Sequence, residues 1–171
     1  YEFLVPLVKG YSSEMSLEVT NLGVQVHGGM GYIEETGAAQ HFRDAKILTI
    51  YEGTTAIQAN DLVGRKTMRD GGATARAVAQ QIAATEVQLA ARDGVAARAM
   101  GRRLRAAREA LEQVVGFVVG NAKASPAAVF AGSVPYLMLA GNLVAGWQMG
   151  RALLVAEDRL AAGEDAAFMT A

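Results

Sequence analysis

Hydrophobic residues recur at every third or fourth position along most of the chain, which is the spacing of one face of an α-helix. In residues 1–24 the apolar positions with this spacing are Phe3, Leu4, Leu7, Tyr11, Met15 and Val19. A second stripe, in residues 95–121, consists of Leu104, Ala107, Leu111, Val114, Val115 and Val118. No segment alternates strictly between apolar and polar residues, as a half-buried strand would. The pattern therefore predicts an all-α fold, a helical bundle around a short glycine-rich turn.

Capping residues predict where the helices of the first part begin. One helix is expected over residues 1–24, with Pro6 in its first turns or at a kink. Thr36 and Thr54 each precede a short helical stretch, and threonine is a favoured residue at the N-terminal cap. Both threonines are therefore predicted to begin a helix.

Alanine marks the second part of the chain. The sequence has 33 alanines, of which 28 lie in residues 72–171. Alanine is the best helix former, so this part should be almost wholly helical. Residues 67–74 include a pair of glycines and are typical of a linker. We therefore divide the chain into residues 1–66, a linker over 67–74, and an alanine-rich helical extension over 75–171.

Three helices are expected in this extension. The first two should cover about residues 74–92 and 95–121. The third should begin at Ser125-Pro126, because serine caps helices and proline is favoured at the first helical position. We expect it to kink near Pro135 and to end near Leu160.

Composition and charge exclude several classes of protein. A hydrophobic content of 51% rules out a disordered chain. The net charge of −1 argues against broad binding to nucleic acid or to anionic membranes. The chain has no cysteine, which excludes disulfides, thiolate metal sites and a cysteine nucleophile. It suits a reducing compartment and, with no signal peptide after Tyr1, a cytoplasmic location is expected.

One uncharged stretch is long enough to be considered as a membrane span. Residues 124–150 contain no Lys, Arg, Asp or Glu, and that length could cross a bilayer. The stretch is rich in alanine and glycine, however, and carries polar residues such as Asn142 and Gln148. We prefer a helix buried inside the bundle to a membrane span, because a helix that is apolar on all sides is buried somewhere.

An arginine cluster occupies residues 98–108 and comprises Arg98, Arg102, Arg103, Arg105 and Arg108. These side chains spread around the predicted helix instead of lining one face. We interpret them as a solvated helix surface, with acidic or phosphate-bearing partners as the alternative.

The first candidate for chemistry is the cluster Gly28-Gly29-Met30-Gly31. Its backbone could approach a phosphate group closely, but it lacks the G-x-G-x-x-G pattern and the βαβ unit of a Rossmann site. By itself it predicts a tight turn. His27 and His41 have no cysteine or carboxylate triad at ligand spacing, so we expect two partly buried, hydrogen-bonded histidines and no metal site.

The second candidate is the segment Ile50-Tyr51-Glu52-Gly53-Thr54. Glu52 follows an apolar run, and burial there would raise its pKa and make it a usable base near neutral pH. Gly53 leaves room beside Glu52 for a flat ligand. From these residues alone, a carboxylate that favours the start of a helix is the simpler interpretation, and a general base is the alternative.

Taken together, these motifs resemble the C-terminal signature of the acyl-CoA dehydrogenases. Three segments carry the match. They are Gln-Val-His-Gly-Gly-Met-Gly-Tyr over residues 25–32, Phe-Arg-Asp-Ala over residues 42–45, and Ile-Tyr-Glu-Gly-Thr over residues 50–54 with Ile-Gln at residues 57–58. The extension, with Pro135-Tyr136-Leu137 and Gly146-Trp147, is similar to the extra C-terminal domain of the longer bacterial members. The family's N-terminal helical and middle β-domains have no counterpart here. The chain is therefore expected to be the C-terminal piece of such an enzyme, inactive by itself.

The resemblance implies a flavoprotein that desaturates an acyl-CoA thioester between Cα and Cβ. Glu52 matches the family's catalytic base, which removes the α-proton while hydride passes to FAD. The backbone N–H of Glu52 and a flavin hydroxyl would stabilise the developing enolate. The flavin would carry the redox step, and the protein would supply geometry and electrostatics.

The resemblance also assigns ligand-binding residues. Gln25 and Gly29 match positions that contact the FAD of a neighbouring subunit, and Thr54 matches a position near FAD. Tyr51 and Gly53 match positions that line the acyl-thioester site.

Further implications concern partners. The family suggests an acyl-CoA substrate, a homo-oligomer that is a dimer or tetramer, electron-transfer flavoprotein as the acceptor, and a place in fatty acid metabolism.

Arg43 and Asp44 match another family motif, but we expect a structural ion pair there. Two other hypotheses stay open: a non-catalytic helical interaction module, which composition alone favours, and an acyl-CoA oxidase-like enzyme that passes electrons to oxygen.

Overall fold

The computed structural model describes residues 2–163, and every regular element in this range is helical. The α-helices are α1 (Ser12–Val26), α2 (Gly29–Tyr32), α3 (Ala38–Lys46), α4 (Thr55–Asp61), α5 (Ala73–Ala90), α6 (Val95–Asn121), α7 (Pro126–Ala131) and α8 (Ser133–Ala161). The remaining elements are 3-10 turns over Glu2–Leu4, Glu34–Thr36 and Ile47–Thr49, and π-helical segments over Leu7–Tyr11 and Leu62–Met68. The all-α prediction is confirmed.

The helix predicted over residues 1–24 is present in several pieces. Pro6 is buried between the first 3-10 turn and the π-helical segment Leu7–Tyr11, and proline has no N–H to continue a helical ladder. Val19, a member of the predicted apolar stripe, is 61% exposed. Hydrophobic spacing thus identified a helical region but not the change in its hydrogen-bonding register.

Of the two predicted threonine caps, one is confirmed and one is wrong. The Thr54 hydroxyl oxygen accepts the backbone N–H of Ile57 at 3.5 Å and begins α4. At α3 the cap is Gly37, whose φ of 76° is left-handed and favours glycine. The Thr36 hydroxyl instead donates to the Met30 carbonyl at 2.7 Å.

The segment predicted as a linker contains a hydrogen-bonded turn over residues 69–72. Thr67 is fully buried, and its hydroxyl lies 2.9 Å from the Tyr136 hydroxyl. Asp70 accepts the backbone N–H groups of Gly72 and Thr74, each at 2.9 Å. Burial disfavours the charged form of Asp70, but these hydrogen bonds hold its pKa below the usual value. The division of the chain into domains at this point stays a prediction.

The last two helices differ from the single kinked helix that was predicted. Pro126 is the first residue of α7, as expected, and the chain breaks at Gly132. Pro135 causes no kink because it lies in the first turn of α8, where a helix does not need its N–H. No helix within residues 2–163 has the length and apolarity needed to cross a membrane.

One hydrophobic core includes side chains from both parts of the chain. α8 packs against α5 and α6, and also against α4 and the segment Leu7–Tyr11. The largest fully buried apolar side chains include Leu62, Val63, Ile82, Leu89, Leu111, Val115, Val129, Leu137 and Leu143.

Two glycines let α8 approach the segment Leu7–Tyr11 closely. A Cβ atom added at Gly10 would lie 2.6 Å from Cδ2 of Leu137, and one added at Gly141 would lie 2.6 Å from Cβ of Tyr11. The Tyr11 hydroxyl also donates to Oδ1 of Asn142 at 3.0 Å. A side chain at Gly141 would therefore collide with the base of the Tyr11 side chain, and one at Gly10 would require the Leu137 side chain to move.

The arginine cluster is not wholly a solvated surface. Arg98, Arg102, Arg103 and Arg105 are exposed, as predicted. The Arg108 side chain is only 15% exposed, and its Nε and Nη2 donate to both carboxylate oxygens of Glu86 at 2.8 and 3.1 Å. Glu86 has a side chain only 4% exposed, so the bidentate pair satisfies a buried charge between α5 and α6.

Gly141→Ala should lower the free energy of unfolding by about 1–3 kcal/mol, because a packed core resists added volume. Gly116→Ala on α6 is the matched control, since nothing lies within 4 Å of its added Cβ. The control should gain up to about 1 kcal/mol from helix propensity. Denaturant unfolding measures both values, and equal midpoints for the two variants would contradict the close approach at Gly141.

Arg108→Met should lower the free energy of unfolding by about 3–5 kcal/mol, because it leaves the buried Glu86 charge without its bidentate partner. Arg103→Met removes an exposed arginine from the same helix and should change stability by less than about 0.5 kcal/mol. Thermal melts of the two variants test the difference. A small effect at Arg108 would show that solvent or Arg105, whose Nε lies 3.8 Å from a Glu86 carboxylate oxygen, compensates Glu86.

Candidate active site

Glu52 adopts a left-handed backbone conformation. Its φ is 52°, the sole positive φ of a non-glycine residue within residues 2–163, and Gly53 follows with a φ of 96°. Such a conformation costs a residue with a side chain about 1–3 kcal/mol, and strain of this kind collects at functional sites. The loop of Tyr51, Glu52 and Gly53 is therefore the first candidate for a site.

Regular structure anchors this loop at both ends. Before it, the Ile47 carbonyl accepts the N–H groups of Ile50 at 3.0 Å and of Tyr51 at 3.2 Å. After it, Thr54 begins α4. Only a few residues are free to turn between these anchors, so the backbone direction at Glu52 is closely restricted.

Two side chains from outside the loop also hold it. Nε2 of Gln58 donates to the Glu52 carbonyl oxygen at 3.3 Å. Nζ of Lys9 donates to the Leu48 carbonyl and lies 5.1 Å from the centroid of the Tyr51 ring. Neither side chain had a role in the sequence-based predictions. Lys9 lies 39 positions from Leu48, so no local pattern could have indicated this contact.

The loop faces solvent in the described part of the chain. Glu52 and Thr54 are exposed, and Tyr51 is 45% exposed. The apolar residues before the loop, Ile47 and Ile50, are about half exposed. The burial that would favour Glu52 as a base is therefore absent within residues 2–163, because Ile47 and Ile50 lie on the outside of the helices. Within residues 2–163 no acceptor pairs with the Glu52 backbone N–H, so this donor is available to a ligand.

The glycine cluster forms the predicted turn between α1 and α2. Gly28 has a φ of 61°, and a Cβ at the buried Gly31 would overlap the Val24 carbonyl group. Gly29 differs, because its φ is not positive and nothing lies within 4 Å of an added Cβ. Gln25, near the end of α1, is exposed. The local fold therefore requires Gly28 and Gly31 but not Gly29.

Both histidines are exposed, so the expectation that they are partly buried is wrong. Nδ1 of His27 lies 2.9 Å from the Gly23 carbonyl oxygen, and His27 and His41 border the same cavity of about 340 Å³. In the range that the structure describes, no three His, Cys, Asp or Glu side chains are grouped as a metal site.

Arg43 and Asp44 do not pair with each other as expected. Nη2 of Arg43 lies 3.3 Å from a carboxylate oxygen of Glu34, and Asp44 accepts a hydrogen bond from Nε2 of Gln40 at 2.6 Å. The physical reason is their spacing, because adjacent residues on a helix do not face each other. Both contacts are exposed and link α3 to its own surface and to the preceding 3-10 turn.

The two candidate clusters lie on different elements of the chain. Gln25 and Gly29 flank the turn after α1, whereas residues 51–54 precede α4. Between these two groups, the structure of residues 2–163 contains no hydrogen bond. Each group presents exposed backbone or side-chain atoms on its own surface.

Two family models match the chain on either side of the turn at residues 69–72. The model of the acyl-CoA dehydrogenase C-terminal domain matches residues 2–67, and a model described as acetyl-CoA dehydrogenase C-terminal like matches residues 73–171. The second match alone covers more than half of the chain. The chain therefore belongs to the acyl-CoA dehydrogenase family, which confirms the resemblance inferred from the sequence motifs.

Several curated proteins are similar to the chain. A 3-methylmercaptopropionyl-CoA dehydrogenase of Ruegeria pomeroyi is 58% identical over 170 residues, which is 99% of the chain and 29% of that protein. A broad-specificity linear acyl-CoA dehydrogenase of Mycobacterium tuberculosis is 34% identical over 175 residues, which is 95% of the chain and 27% of that protein. A caffeyl-CoA reductase–Etf complex subunit of Acetobacterium woodii is 44% identical over 52 residues, 30% of the chain and 14% of that protein. The chain thus spans less than a third of the length of these relatives.

Proposed function

We propose that the chain is the C-terminal part of an FAD-dependent acyl-CoA dehydrogenase and that Glu52 is its catalytic base. The observation that carries the proposal is the left-handed backbone of Glu52 in a chain that belongs to this family. A carboxylate held on a strained loop, next to a backbone N–H that has no acceptor in residues 2–163, can present a base and a donor to one ligand.

The proposed reaction forms a double bond between Cα and Cβ of an acyl-CoA thioester. The α C–H bond breaks, its proton passes to a carboxylate oxygen of Glu52, and its electron pair becomes the new double bond. A bound FAD supplies the two-electron acceptor for the β-hydrogen, which leaves as hydride. Because the α-proton of a thioester is weakly acidic, the enolate needs hydrogen-bond donors, and the Glu52 backbone N–H serves as one of them.

Gln25, Gly29 and Thr54 are the proposed contacts to FAD. Gly29 fits this role because its missing side chain leaves open space that the local fold does not require. A flat cofactor can approach a glycine backbone closely, and the exposed Gln25 and Thr54 side chains can add hydrogen bonds. In a homo-oligomer, a dimer or tetramer, Gln25 and Gly29 would meet the FAD of the neighbouring subunit. By itself, the chain would then neither retain FAD nor catalyse the reaction.

Tyr51 and Gly53, which flank the base, are the proposed lining of the acyl-thioester site. The 58% identical relative is named for 3-methylmercaptopropionyl-CoA, and the 34% identical relative for linear acyl-CoA. We therefore propose an unbranched acyl group as substrate, either sulfur-containing or purely hydrocarbon. Comparing 3-methylmercaptopropionyl-CoA with butyryl-CoA distinguishes these two classes.

The proposed electron acceptor is an electron-transfer flavoprotein. One similar protein is named as a subunit of an Etf complex, which supports this choice. An oxidase would instead pass its electrons to oxygen. Oxygen consumption during turnover separates the two kinds of enzyme.

In the full-length enzyme, Glu52→Gln should lower the rate of desaturation by about 10⁴-fold, the upper end of general-base contributions. The amide has almost the same shape, so FAD content and acyl-CoA binding should be retained. Steady-state assays with an artificial electron acceptor measure the rate, and flavin absorbance measures the cofactor content.

Glu35→Gln is the matched control for this change, because Glu35 is also an exposed glutamate and has no proposed role. It should keep the wild-type rate. Wild-type turnover by Glu52→Gln would instead make Glu52 a helix-start carboxylate, whose loss costs about 0.3–1 kcal/mol of stability and little rate.

Gly29→Ala should weaken FAD binding by the full-length enzyme about tenfold or more, equivalent to roughly 1.4 kcal/mol, because the new methyl group would occupy space proposed for the cofactor. The fold should not change, since nothing in the chain lies within 4 Å of the added Cβ. Gly120→Ala, equally unobstructed on α6, is the control. Fluorescence titration with FAD measures the affinity of each variant. Equal affinities for Gly29→Ala and Gly120→Ala would exclude Gly29 from the cofactor site.

A further inference from the structure

We propose that Gln58 and Lys9 are positioning residues, which hold the Glu52 loop in the conformation that the reaction uses. This inference rests on the proposed function of Glu52 as the base. Gln58 acts on the loop from its C-terminal side and Lys9 from its N-terminal side. Neither residue is proposed to touch substrate or cofactor.

The Gln58 contact fixes one torsion angle of Glu52. The carbonyl oxygen that accepts from Nε2 belongs to the peptide group between Glu52 and Gly53, so the 3.3 Å hydrogen bond restricts rotation about the Cα–C bond of Glu52. A Cβ atom at Gly53 would lie 2.8 Å from Nε2 of Gln58. A side chain at position 53 would therefore push the carboxamide away from its acceptor, and it would also be strained at a φ of 96°.

Gln58 is itself held in place by the fold. Its backbone N–H donates to the Thr54 carbonyl at 3.0 Å in the first turn of α4. Its side chain is half-buried, and a Cβ at Gly10 would lie only 3.2 Å from Cβ of Gln58. The stem of Gln58 thus packs against the backbone of the segment Leu7–Tyr11, so its amide group is presented by a rigid support.

Lys9 acts on the other flank and comes from the same segment. Its ammonium group donates to the Leu48 carbonyl and lies above the Tyr51 ring, which attracts a cation through its π face. The Ser13 hydroxyl donates to the Lys9 carbonyl, which ties the base of this side chain to α1. Lys9 therefore restricts the residue immediately before Glu52.

Both contacts control where Glu52 directs its functional groups. The φ of Glu52 sets the direction of its N–H relative to its Cβ, and its ψ, which the Gln58 contact restricts, sets how both groups lie relative to Gly53 and α4. If the contacts are lost, the residue still carries its carboxylate, but the loop populates other conformations. We therefore expect a slower proton removal without a matching loss of substrate affinity, because misplacement of a reacting group lowers the rate.

The test uses the full-length enzyme loaded with FAD. Its reduction by 3-methylmercaptopropionyl-CoA in a single turnover is monitored through the loss of flavin absorbance. Gln58→Met keeps the side-chain length but removes the donor, and should slow reduction about 10- to 100-fold. Substrate affinity should change little. The kinetic isotope effect with α-deuterated substrate should increase, because proton removal becomes more rate-limiting. Gln88→Met, an exposed position on α5, is the matched control and should reduce at the wild-type rate.

Glu52→Gln is measured in parallel, so that the two proposals can fail separately. If Glu52→Gln retains wild-type reduction, the assignment of the base fails and the positioning roles fail with it. If Glu52→Gln abolishes reduction while Gln58→Met stays at the wild-type rate, the positioning role of Gln58 is overturned and the base assignment stands.

Lys9→Met is the second variant, and it tests the positioning proposal even if Gln58→Met does not retain FAD. It removes the donor to Leu48 and the cation above Tyr51 from a different element. The same selective loss of rate, with unchanged substrate affinity and a larger isotope effect, supports the proposal. A wild-type rate for Lys9→Met overturns the role of Lys9, and for both variants together it overturns the proposal.

Discussion

The position of the candidate base depends on the close packing of one π-helical segment, Leu7–Tyr11, between α4 and α8. Gly10 and Gly141 have no side chains at this contact, which lets the backbones approach. Because protein interiors are close-packed, an added atom at Gly141 would displace the segment, and one at Gly10 would displace the Leu137 side chain. The same segment carries Lys9, which contacts the loop before Glu52. The alanine-rich helices that build the core therefore also help to position the site.

Much of the fold follows from interactions that are short-range in sequence, and these were predictable. The extent of α6 and the Thr54 cap each depend on residues within a few turns. The break before α8 was placed at Pro135 rather than Gly132, because the sequence does not show whether a proline falls inside a helix or in its first turn. Arg108 was assigned to the surface because its partner, Glu86, lies 22 positions away. Hydrophobic spacing also cannot separate an α-helix from a π-helical segment, since both place apolar residues on one side.

The candidate site also has features that the local sequence predicts and features that depend on residues distant in the chain. The motif around Glu52 predicts the base from the order of residue types along the chain, and that role stays a prediction. It did not identify the left-handed backbone or the solvent exposure of the loop, which result from packing between distant segments. Gln58 was part of the motif without a role, and Lys9 was not part of it. The apolar run before Glu52 does not bury this residue, because hydrophobic residues are not always inside, and Ile47 and Ile50 are about half exposed.

The magnitudes explain how a strained loop can persist on the surface of the chain. The left-handed conformation of Glu52 costs about 1–3 kcal/mol. A hydrogen bond contributes about 0.5–1.5 kcal/mol, so the bonds from Gln58 and Lys9 together are of the size needed to offset this strain. Glycine at position 52 would remove the strain but also the carboxylate that the proposed reaction needs, whereas position 53, with a φ of 96°, is glycine. In the proposed enzyme, the bound thioester would exclude water from the Glu52 carboxylate, and exclusion of water strengthens every electrostatic interaction at the reacting atoms.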